Sequence, residues 1–269
     1  MTVGVFAALG EEVARVRECL GGVGTERAGL TFYVVSVGAL QVVYVCGGVG
    51  KVNAALCTQL LISEFGARVL INTGIAGALD ERLCVFDVLV SVDAVQHDVD
   101  VTAFGYQKGR IPRMDSVEWT ANTALRYLVR EAFDLCTRDP EWTEGACALS
   151  GSGDPPSRVS RLVEGRVASG DLFVSDAQTR ARIIREFGAH GVEMEGAAFA
   201  HVASVNGVPF VIIRCISDGA GAEQDVSMSY KEFSTRAARR SALLTLRVLE
   251  RLSALRTSVV ASLFPMVVV

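Results

Sequence analysis

Short apolar runs that end in glycine or polar residues recur along the chain and predict a sheet buried on both faces. The runs at 2–8, 69–71 and 209–216 lack the alternation of a half-exposed strand. Such continuous runs are typical of strands covered by helices on both sides. The segment 31–46 holds two β-branched runs joined by Gly38-Ala39, which predicts a hairpin.

Apolar residues at helical spacing fill the intervals between these runs. The pattern predicts further strands at 87–92 and 166–169, and helices after Gly10 and at 52–65, 118–135, 176–187, 196–205 and 230–255. This alternation indicates one α/β domain over residues 1–255. Residues 138–164 are rich in glycine, proline and charge and predict a surface insertion that is at least partly mobile. The apolar tail 256–269 can pack on the body or on a neighbour, or be disordered; it has no assigned role.

Composition narrows the class of protein. The formal net charge of −4 and the absence of a dense Lys/Arg run argue against nucleic acid as a partner. The seven cysteines are scattered without a CxxC pair, which favours reduced thiols and a cytoplasmic location. The three histidines have no ligand-like spacing, so no metal site is expected. No apolar run reaches the ~20 residues needed to span a bilayer, and the amino terminus has no signal-peptide pattern.

The segment Gly191–His201 carries two carboxylates, Glu193 and Glu195, one residue apart around Met194. An extended backbone would turn both carboxylates to one side, because side chains alternate along a strand. Acidic residues are seldom buried unless they are paired or bound. On these residues alone, a solvated strand-to-helix corner and a site for polar ligand groups fit equally well.

Other charged residues stand where predicted strands end. Glu12 follows the first strand, although the start of a helix dipole also explains an acid there. Arg214 lies in a very apolar strand, where it needs a carboxylate or a ligand. Asp218 follows that strand, where a helix cap is the alternative explanation. Ligands of parallel α/β sheets gather at the carboxyl ends of strands, so these three residues and Glu195 are candidates for one site.

A series of motifs in a fixed order resembles the bacterial 5′-methylthioadenosine/S-adenosylhomocysteine nucleosidase family of the nucleoside phosphorylase superfamily. The motifs are Ala8-Leu9-Gly10-Glu11-Glu12, Gly48-Val49-Gly50-Lys51-Val52-Asn53-Ala54-Ala55, Asn72-Thr73-Gly74-Ile75-Ala76-Gly77, the run from His97 to Tyr106, Ser169-Gly170-Asp171, Val192-Glu193-Met194-Glu195 and Arg214-Cys215-Ile216-Ser217-Asp218. The resemblance implies a nucleoside phosphorylase-like fold. In that fold, helices flank a central, mixed, twisted sheet that is partly barrel-like.

The resemblance implies an N-glycosyl hydrolase that cleaves adenine from a 5′-thio-substituted ribose, without a cofactor. Asp218 matches the acid that protonates the purine at N7, which makes adenine a neutral leaving group. Glu12 matches the base that deprotonates water on the other face, and Arg214 matches a residue that helps hold the water. This is the two-carboxylate logic of inverting glycosidases.

The remaining residues that match the family's site are expected to bind substrate. Glu195 matches the residue that accepts hydrogen bonds from the ribose hydroxyls. By the same resemblance, Met194 packs beneath the sugar and Glu193 lies beside them. Phe173 matches the ring that stacks on adenine, and the Val174 backbone would read the polar edge of the base. Ser217 and Ile75 complete the set, and Ile75 stands where many relatives carry a small hydroxyl residue. The apolar 5′ pocket is assigned to Leu9, Val49, Phe104, Tyr106, Pro112 and Tyr230. In the family a second subunit supplies part of it, so a homodimer is expected.

The implied function is cleavage of methylthioadenosine and S-adenosylhomocysteine in methionine salvage and in recycling the by-products of S-adenosylmethionine. Two adenosine-type substrates, 5′-deoxyadenosine and aminofutalosine, fit the same logic. Phosphorolysis of a purine nucleoside is the nearest rival, but Glu11 and Glu12 in the first loop would repel phosphate. A non-catalytic nucleoside-binding protein is the other alternative.

Overall fold

The sheet that organises the fold has ten strands. A computed structural model of the chain describes residues 1–142, 159–221, 226–255 and 263–264. The strands are β1 (Thr2–Ala7), β2 (Val23–Arg27), β3 (Leu30–Val37), β4 (Leu40–Cys46), β5 (Val69–Ala78), β6 (Val88–Gln96), β7 (Glu118–Thr120), β8 (Leu162–Ser169), β9 (Gly191–Glu193) and β10 (Phe210–Asp218). Parallel and antiparallel pairs both occur, because β1 is parallel to β4 and β5, whereas β3 is antiparallel to β4.

Part of the sheet closes on itself. The strand order is β10-β6-β8-β9-β5-β1-β4-β3-β2, and β10 also pairs with β5. Strands β10, β6, β8, β9 and β5 therefore form a closed ring, and β1 to β4 extend from β5 as an open wing. The predicted single α/β domain with a mixed, partly barrel-like sheet is confirmed.

Helices cover both faces of the sheet, as the continuous apolar strands predict. They are α1 (Gly10–Leu20), α2 (Lys51–Ser63), α3 (Thr123–Cys136), α4 (Ala177–Phe187), α5 (Gly196–Val205) and α6 (Val226–Ala254). Helices α1, α3 and α6 pack on one face of β1, β5 and β10, around Val5 and Ile213. Helices α2 and α5 pack on the other face, around Phe6 and Ile212. No helix in the described part of the chain has the length and apolarity to cross a membrane.

The predicted helix at 118–135 begins too early. Residues Glu118–Thr120 form strand β7, which pairs with Asp93–Val95 of β6. The helix begins at Thr123, because the Asn122 side chain caps it by accepting the Leu125 N–H at 3.0 Å. The Trp119 side chain is buried in the core beneath β6, which a helical spacing pattern cannot reveal.

The predicted insertion at 138–164 is too long at its carboxyl end. Strand β8 begins at Leu162, where it pairs in parallel with Val88 of β6. Trp142 is buried against Phe133 with an edge-to-face ring contact at 5.6 Å. Residues 143–158, where the rest of the prediction falls, lie outside the described residues.

Strand β2 was not predicted, because it is short and mostly exposed and lacks an apolar run. It forms a hairpin with β3 through Ala28 and Gly29, both of which have positive φ. This geometry suits the right-handed twist of a two-residue hairpin.

The apolar tail contributes at least one side chain to the core. Phe264 is buried, and Leu263 packs beside it. Of the predicted tail, residues 256–262 and 265–269 lie outside the described residues.

Candidate active site

A pocket opens where β1, β5, β9 and β10 end. Its walls combine four carboxylates with a larger apolar surface. The lining residues are Ala8, Leu9, Glu12, Val49, Ile75, Ala76, Gly77, Phe173, Val192, Glu193, Met194, Glu195, Ser217, Asp218 and Tyr230. Most of these residues are candidates from the sequence. The fold brings them together from segments that lie more than 200 residues apart in the chain.

Glu12 is held at the end of β1 by three backbone amides. Its Oε2 accepts the N–H groups of Ala8 and Leu9, both at 2.9 Å, and its Oε1 accepts that of Ile75 at 3.1 Å. Glu12 therefore does more than favour a helix dipole, because it is buried and joins the first turn of α1 to Ile75 in the second half of β5. Burial raises the pKa of Glu12, although the nearby charge of Arg214 opposes the increase.

Glu193 and Arg214 form a buried ion pair. Arg214 Nη2 lies 2.6 Å from Glu193 Oε2, and Arg214 Nη1 donates to the carbonyls of Asn72 and Ile213 at 3.3 and 3.1 Å. The hydroxyl of Ser169 donates to Glu193 Oε1. The Glu193 Oε2 atom also accepts the N–H groups of Glu195 and Gly196 at 3.1 and 2.8 Å, so Glu193 caps helix α5.

Glu195 lies on the pocket wall beside this pair. Its Oε1 accepts the Gly50 N–H at 2.7 Å. Burial, and then the charge of Glu193, raise the pKa of Glu195 to about 8. Both Glu193 and Glu195 are buried, so a solvated corner is the wrong interpretation of this segment. The strand also ends at Glu193, so the two carboxylates do not share one face of an extended strand.

Asp218 stands at the end of β10 with its carboxylate fixed at both oxygens. The Ser217 hydroxyl donates to Oδ2 at 2.7 Å, and the Ala220 N–H donates to Oδ1 at 2.8 Å. Asp218 belongs to a strand and precedes Val226, the first residue of α6, by eight positions, so it is not the cap of that helix.

Two glycines of β5 make room for the acid groups. A Cβ atom on Gly74 would lie 2.6 Å from Glu12 Oε1, and one on Gly77 would lie 2.8 Å from Asp218 Oδ1. The two positions are three residues apart, or about 10 Å along a strand. Glu12 and Asp218 therefore approach the same strand at two separated points, and both line the same pocket.

The apolar walls hold one aromatic pair. The rings of Phe173 and Tyr230 meet edge to face, with centroids 5.5 Å apart. Val174 is buried in the core behind Phe173 and does not line the pocket. Arg214 also stays behind the surface, paired with Glu193. Phe104, Tyr106 and Pro112 are absent from this chain's pocket, and the Phe104 side chain is 81 % exposed.

Comparison with known proteins assigns the family. A family model described as the phosphorylase superfamily matches residues 2–250. A nucleosidase of Exiguobacterium, named 5′-methylthioadenosine/S-adenosylhomocysteine nucleosidase, is 38 % identical over 94 % of this chain and 99 % of its own length. The chain belongs to this nucleosidase family of the phosphorylase superfamily. A nucleosidase of the same name from Staphylococcus haemolyticus is 36 % identical over 89 % of the chain and 95 % of its own length.

Solved structures agree with the nucleosidase family. The nucleosidase of Neisseria meningitidis in complex with methylthio-immucillin-A has a TM-score of 0.80 and 31 % identity, and the match covers 93 % of this chain and 99 % of that one. A futalosine hydrolase of Helicobacter pylori has a TM-score of 0.81 and 28 % identity, and covers 93 % and 98 % of the two chains. The predicted nucleoside phosphorylase-like fold is therefore confirmed.

Several residues of the nucleosidase site were not candidates from the sequence. Ala8, Ala76, Gly77 and Val192 line the pocket, and Ser169 holds Glu193. All five lie in the motifs that carry the resemblance, yet small or hydroxyl residues give no separate chemical signal. In the described part of the chain, no three His, Cys, Asp or Glu side chains converge as metal ligands would.

Proposed function

We infer that the chain hydrolyses the N-glycosidic bond of 5′-methylthioadenosine and S-adenosylhomocysteine, and releases adenine and the 5′-thio-substituted ribose. The observation that carries this function is the pair of buried carboxylates, Glu12 and Asp218, at two separated points along β5. Glu195 lines the same pocket and can accept hydrogen bonds from sugar hydroxyls. The apolar remainder of the pocket suits a base and an alkylthio group.

In the proposed reaction the bond between C1′ and N9 breaks, and its electron pair leaves with adenine. Asp218 donates a proton to N7 of the base, so that adenine departs as a neutral molecule. A water oxygen bonds to C1′ on the opposite face, and its proton passes to Glu12. The raised pKa of Glu12 suits this step, because a more basic carboxylate takes a proton more readily.

The charges of the pocket favour water over phosphate as the nucleophile. Glu12 lies at the wall, and its carboxylate, when ionised, would repel a phosphate dianion. The guanidinium of Arg214 is already paired with Glu193 at 2.6 Å. Among the described residues, the pocket lining therefore offers a phosphate no lysine or arginine side chain, where a phosphorylase needs a cationic cradle.

Two isosteric variants test these roles. We expect Asp218→Asn and Glu12→Gln each to lower kcat by about 10²–10⁴-fold, as loss of a general acid or base does. Circular dichroism would show whether each variant is folded. Near-wild-type turnover by either folded variant would refute its assigned role. Adenine release that requires phosphate would instead favour the phosphorylase alternative.

The preference among 5′ substituents is a separate proposal. We propose that thio-nucleosides are the main substrates, because Leu9, Val49, Met194 and Tyr230 give the pocket an apolar wall. The structural similarity to a futalosine hydrolase makes aminofutalosine the substrate to compare. Values of kcat/KM for methylthioadenosine, S-adenosylhomocysteine, 5′-deoxyadenosine and aminofutalosine would rank them. A higher value for aminofutalosine would overturn the proposed preference.

We propose that the enzyme is a homodimer in which each subunit completes the 5′ pocket of the other. Val49 lines the pocket, and Val52 and Leu56 continue from it along α2 as exposed apolar side chains. Phe104 is also exposed and stands outside its own pocket. Exposed apolar side chains beside a site are typical of an interface.

A complementation assay tests the shared pocket. Phe104→Ala would weaken the 5′ pocket of the partner, whereas Asp218→Asn would disable its own subunit's chemistry. In mixed dimers the Asp218→Asn subunit supplies Phe104 to a subunit with an intact acid. Activity should therefore rise above that of either parent. Additive activity, or a monomer by light scattering, would contradict the proposal.

We also propose a cytoplasmic role in methionine salvage. Cys57, Cys136 and Cys215 are free thiols buried in the core, which suits a reducing compartment. The metabolic role can be tested in a strain that lacks this chain and is given methylthioadenosine as its sulfur source. We expect the strain to grow only when the gene is restored. Failure of the gene to restore growth would contradict the role.

A further inference from the structure

Three residues outside the pocket close a ring of hydrogen bonds at its mouth. The Lys51 N–H donates to Asp171 Oδ1 at 2.9 Å, and the Asp171 N–H donates to Asp98 Oδ2 at 3.0 Å. The ammonium of Lys51 then donates to Asp98 Oδ1 at 2.8 Å. The ring joins the start of α2, the loop after β8 and the segment after β6.

The first turn of α2 depends on this ring for its capping. Gly50 occupies the cap position without a side chain, and the first turn contains no acidic residue. The first amides of a helix need acceptors, and a carboxylate there is favoured by the helix dipole. Two distant carboxylates supply them, because Asp171 accepts from Lys51 and Glu195 accepts from Gly50 at 2.7 Å.

The ring is adjacent in the chain to two walls of the pocket. Gly50, which binds Glu195, directly precedes Lys51. Phe173, which lines the pocket, follows Asp171 by two residues. A displacement of α2 would therefore move the donor of Glu195, and a displacement of Asp171 would move the Phe173 ring.

The ring is held by charged groups that are partly shielded from solvent. The side chains of Lys51 and Asp98 are 18 % and 27 % exposed, and Lys51 Nζ also donates to Gln96 Oε1 at 3.2 Å. Burial alone would raise the pKa of Asp98, but the bonds from Lys51 and from the Asp171 N–H hold it below its usual value. Charge-assisted hydrogen bonds of this kind are stronger than neutral ones.

We propose that Lys51, Asp98 and Asp171 are positioning residues. They fix the position of the sugar-binding carboxylate of Glu195 relative to the adenine-binding ring of Phe173. This inference rests on the proposed roles of Glu195 and Phe173. The three residues touch neither substrate nor the reacting atoms, so they act through substrate binding. Their loss should raise KM while the chemistry of Glu12 and Asp218 continues.

The test compares two lysine variants. Lys51→Met keeps the aliphatic stem and removes the ammonium. The matched control is Lys108→Met, because Lys108 forms ion pairs with two residues that are not members of the ring, Asp100 and Glu186, at 3.4 and 3.2 Å. We expect KM for methylthioadenosine to rise by about tenfold in Lys51→Met and kcat to change by less than about threefold. Lys108→Met should have the KM and kcat of the wild type. Lys51→Arg should have a KM close to that of the wild type, because it restores the positive charge.

Each result decides the proposal. An unchanged KM in Lys51→Met, or an equal change in Lys108→Met, would overturn it. A fall in kcat at constant KM would also overturn it, because positioning of the binding walls predicts the opposite division. If Lys51→Met does not fold, Asp98→Asn is judged by the same criteria. If the wild type releases no adenine, the proposed function fails, and calorimetric binding of methylthioadenosine to the same variants still tests the ring.

Discussion

Arg214 and Glu193 meet at 2.6 Å in the interior, with both side chains almost fully buried. The pair joins β10 to the end of β9, with Glu193 in the pocket wall and Arg214 outside the pocket lining. Arg214 was expected to need a carboxylate, and Glu193 is that carboxylate. The proposed role of Arg214 near the water is therefore coupled to the position of Glu193.

Breaking this pair should be costly. We expect Glu193→Gln to lower the free energy of unfolding by about 3–5 kcal/mol, because it leaves a buried guanidinium without its counter-charge. The control is Glu250→Gln, whose partner Arg247 lies 2.9 Å away at the surface. That exposed pair should contribute less than about 1 kcal/mol. Urea unfolding of both variants measures the difference, and equal losses would contradict the account.

Gly74 should be essential for the general base. An added Cβ would lie 2.6 Å from Glu12 Oε1, so Gly74→Ala must displace the carboxylate. We expect kcat to fall by about 10²-fold, as for other small misplacements of a catalytic group. Gly10→Ala is the control, since an added Cβ there meets nothing within 4 Å. A folded Gly74→Ala enzyme with unchanged kcat would show that Glu12 is not positioned by this contact.

Glu195 should make stability depend on pH. Burial and then Glu193 raise its pKa from 4.5 to about 8, so between these values the folded chain holds a proton that the unfolded chain has released. The contribution to stability is full below the lower value and is lost as pH rises through the higher one. We expect Tm to fall between about pH 4.5 and about pH 8 and to level off above that, by about 2–4 °C for each kcal/mol lost.

The variant Glu195→Gln isolates this contribution, because it cannot ionise. Its Tm should change less over the same interval than that of the wild type. Glu11→Gln removes an exposed neighbouring carboxylate and should follow the wild-type curve. Identical pH dependence in wild type and Glu195→Gln would contradict the raised pKa.

The corrected start of α3 can be tested at its cap. Asn122→Ala removes the acceptor for the Leu125 N–H and should cost about 1 kcal/mol of stability. Thr123→Ala, one residue further on, should change stability by less than about 0.5 kcal/mol. Thermal unfolding measures both, and equal effects would argue against Asn122 as the cap.

Much of the fold could be predicted from local sequence. The apolar strands β1, β5 and β10 have few alternatives, because each is buried on both faces. Strand β7 could not be predicted, since Glu118–Thr120 is stabilised by pairing with β6 and not by its own pattern. Strand β2 was missed for the same reason, as its residues are mostly exposed.

The sequence predicted which residues form the site better than it predicted the contacts between them. Glu12, Glu195 and Asp218 were candidates because charged groups at the ends of apolar strands need a reason to be there. The pairing of Glu193 with Arg214 depends on β9 and β10 both pairing with β5, which no local pattern specifies. The contact of Gly50 with Glu195 joins residues 145 positions apart and needs the whole fold.

The identity of the nucleophile distinguishes hydrolysis from phosphorolysis. Methylthioadenosine would be incubated with the wild-type enzyme in phosphate-free buffer made with H₂¹⁸O, and the released sugar would be analysed by mass spectrometry. The account predicts adenine release together with a 5-methylthioribose that carries one ¹⁸O atom at C1. Release of adenine only after phosphate is added, with a sugar 1-phosphate as product, would contradict it.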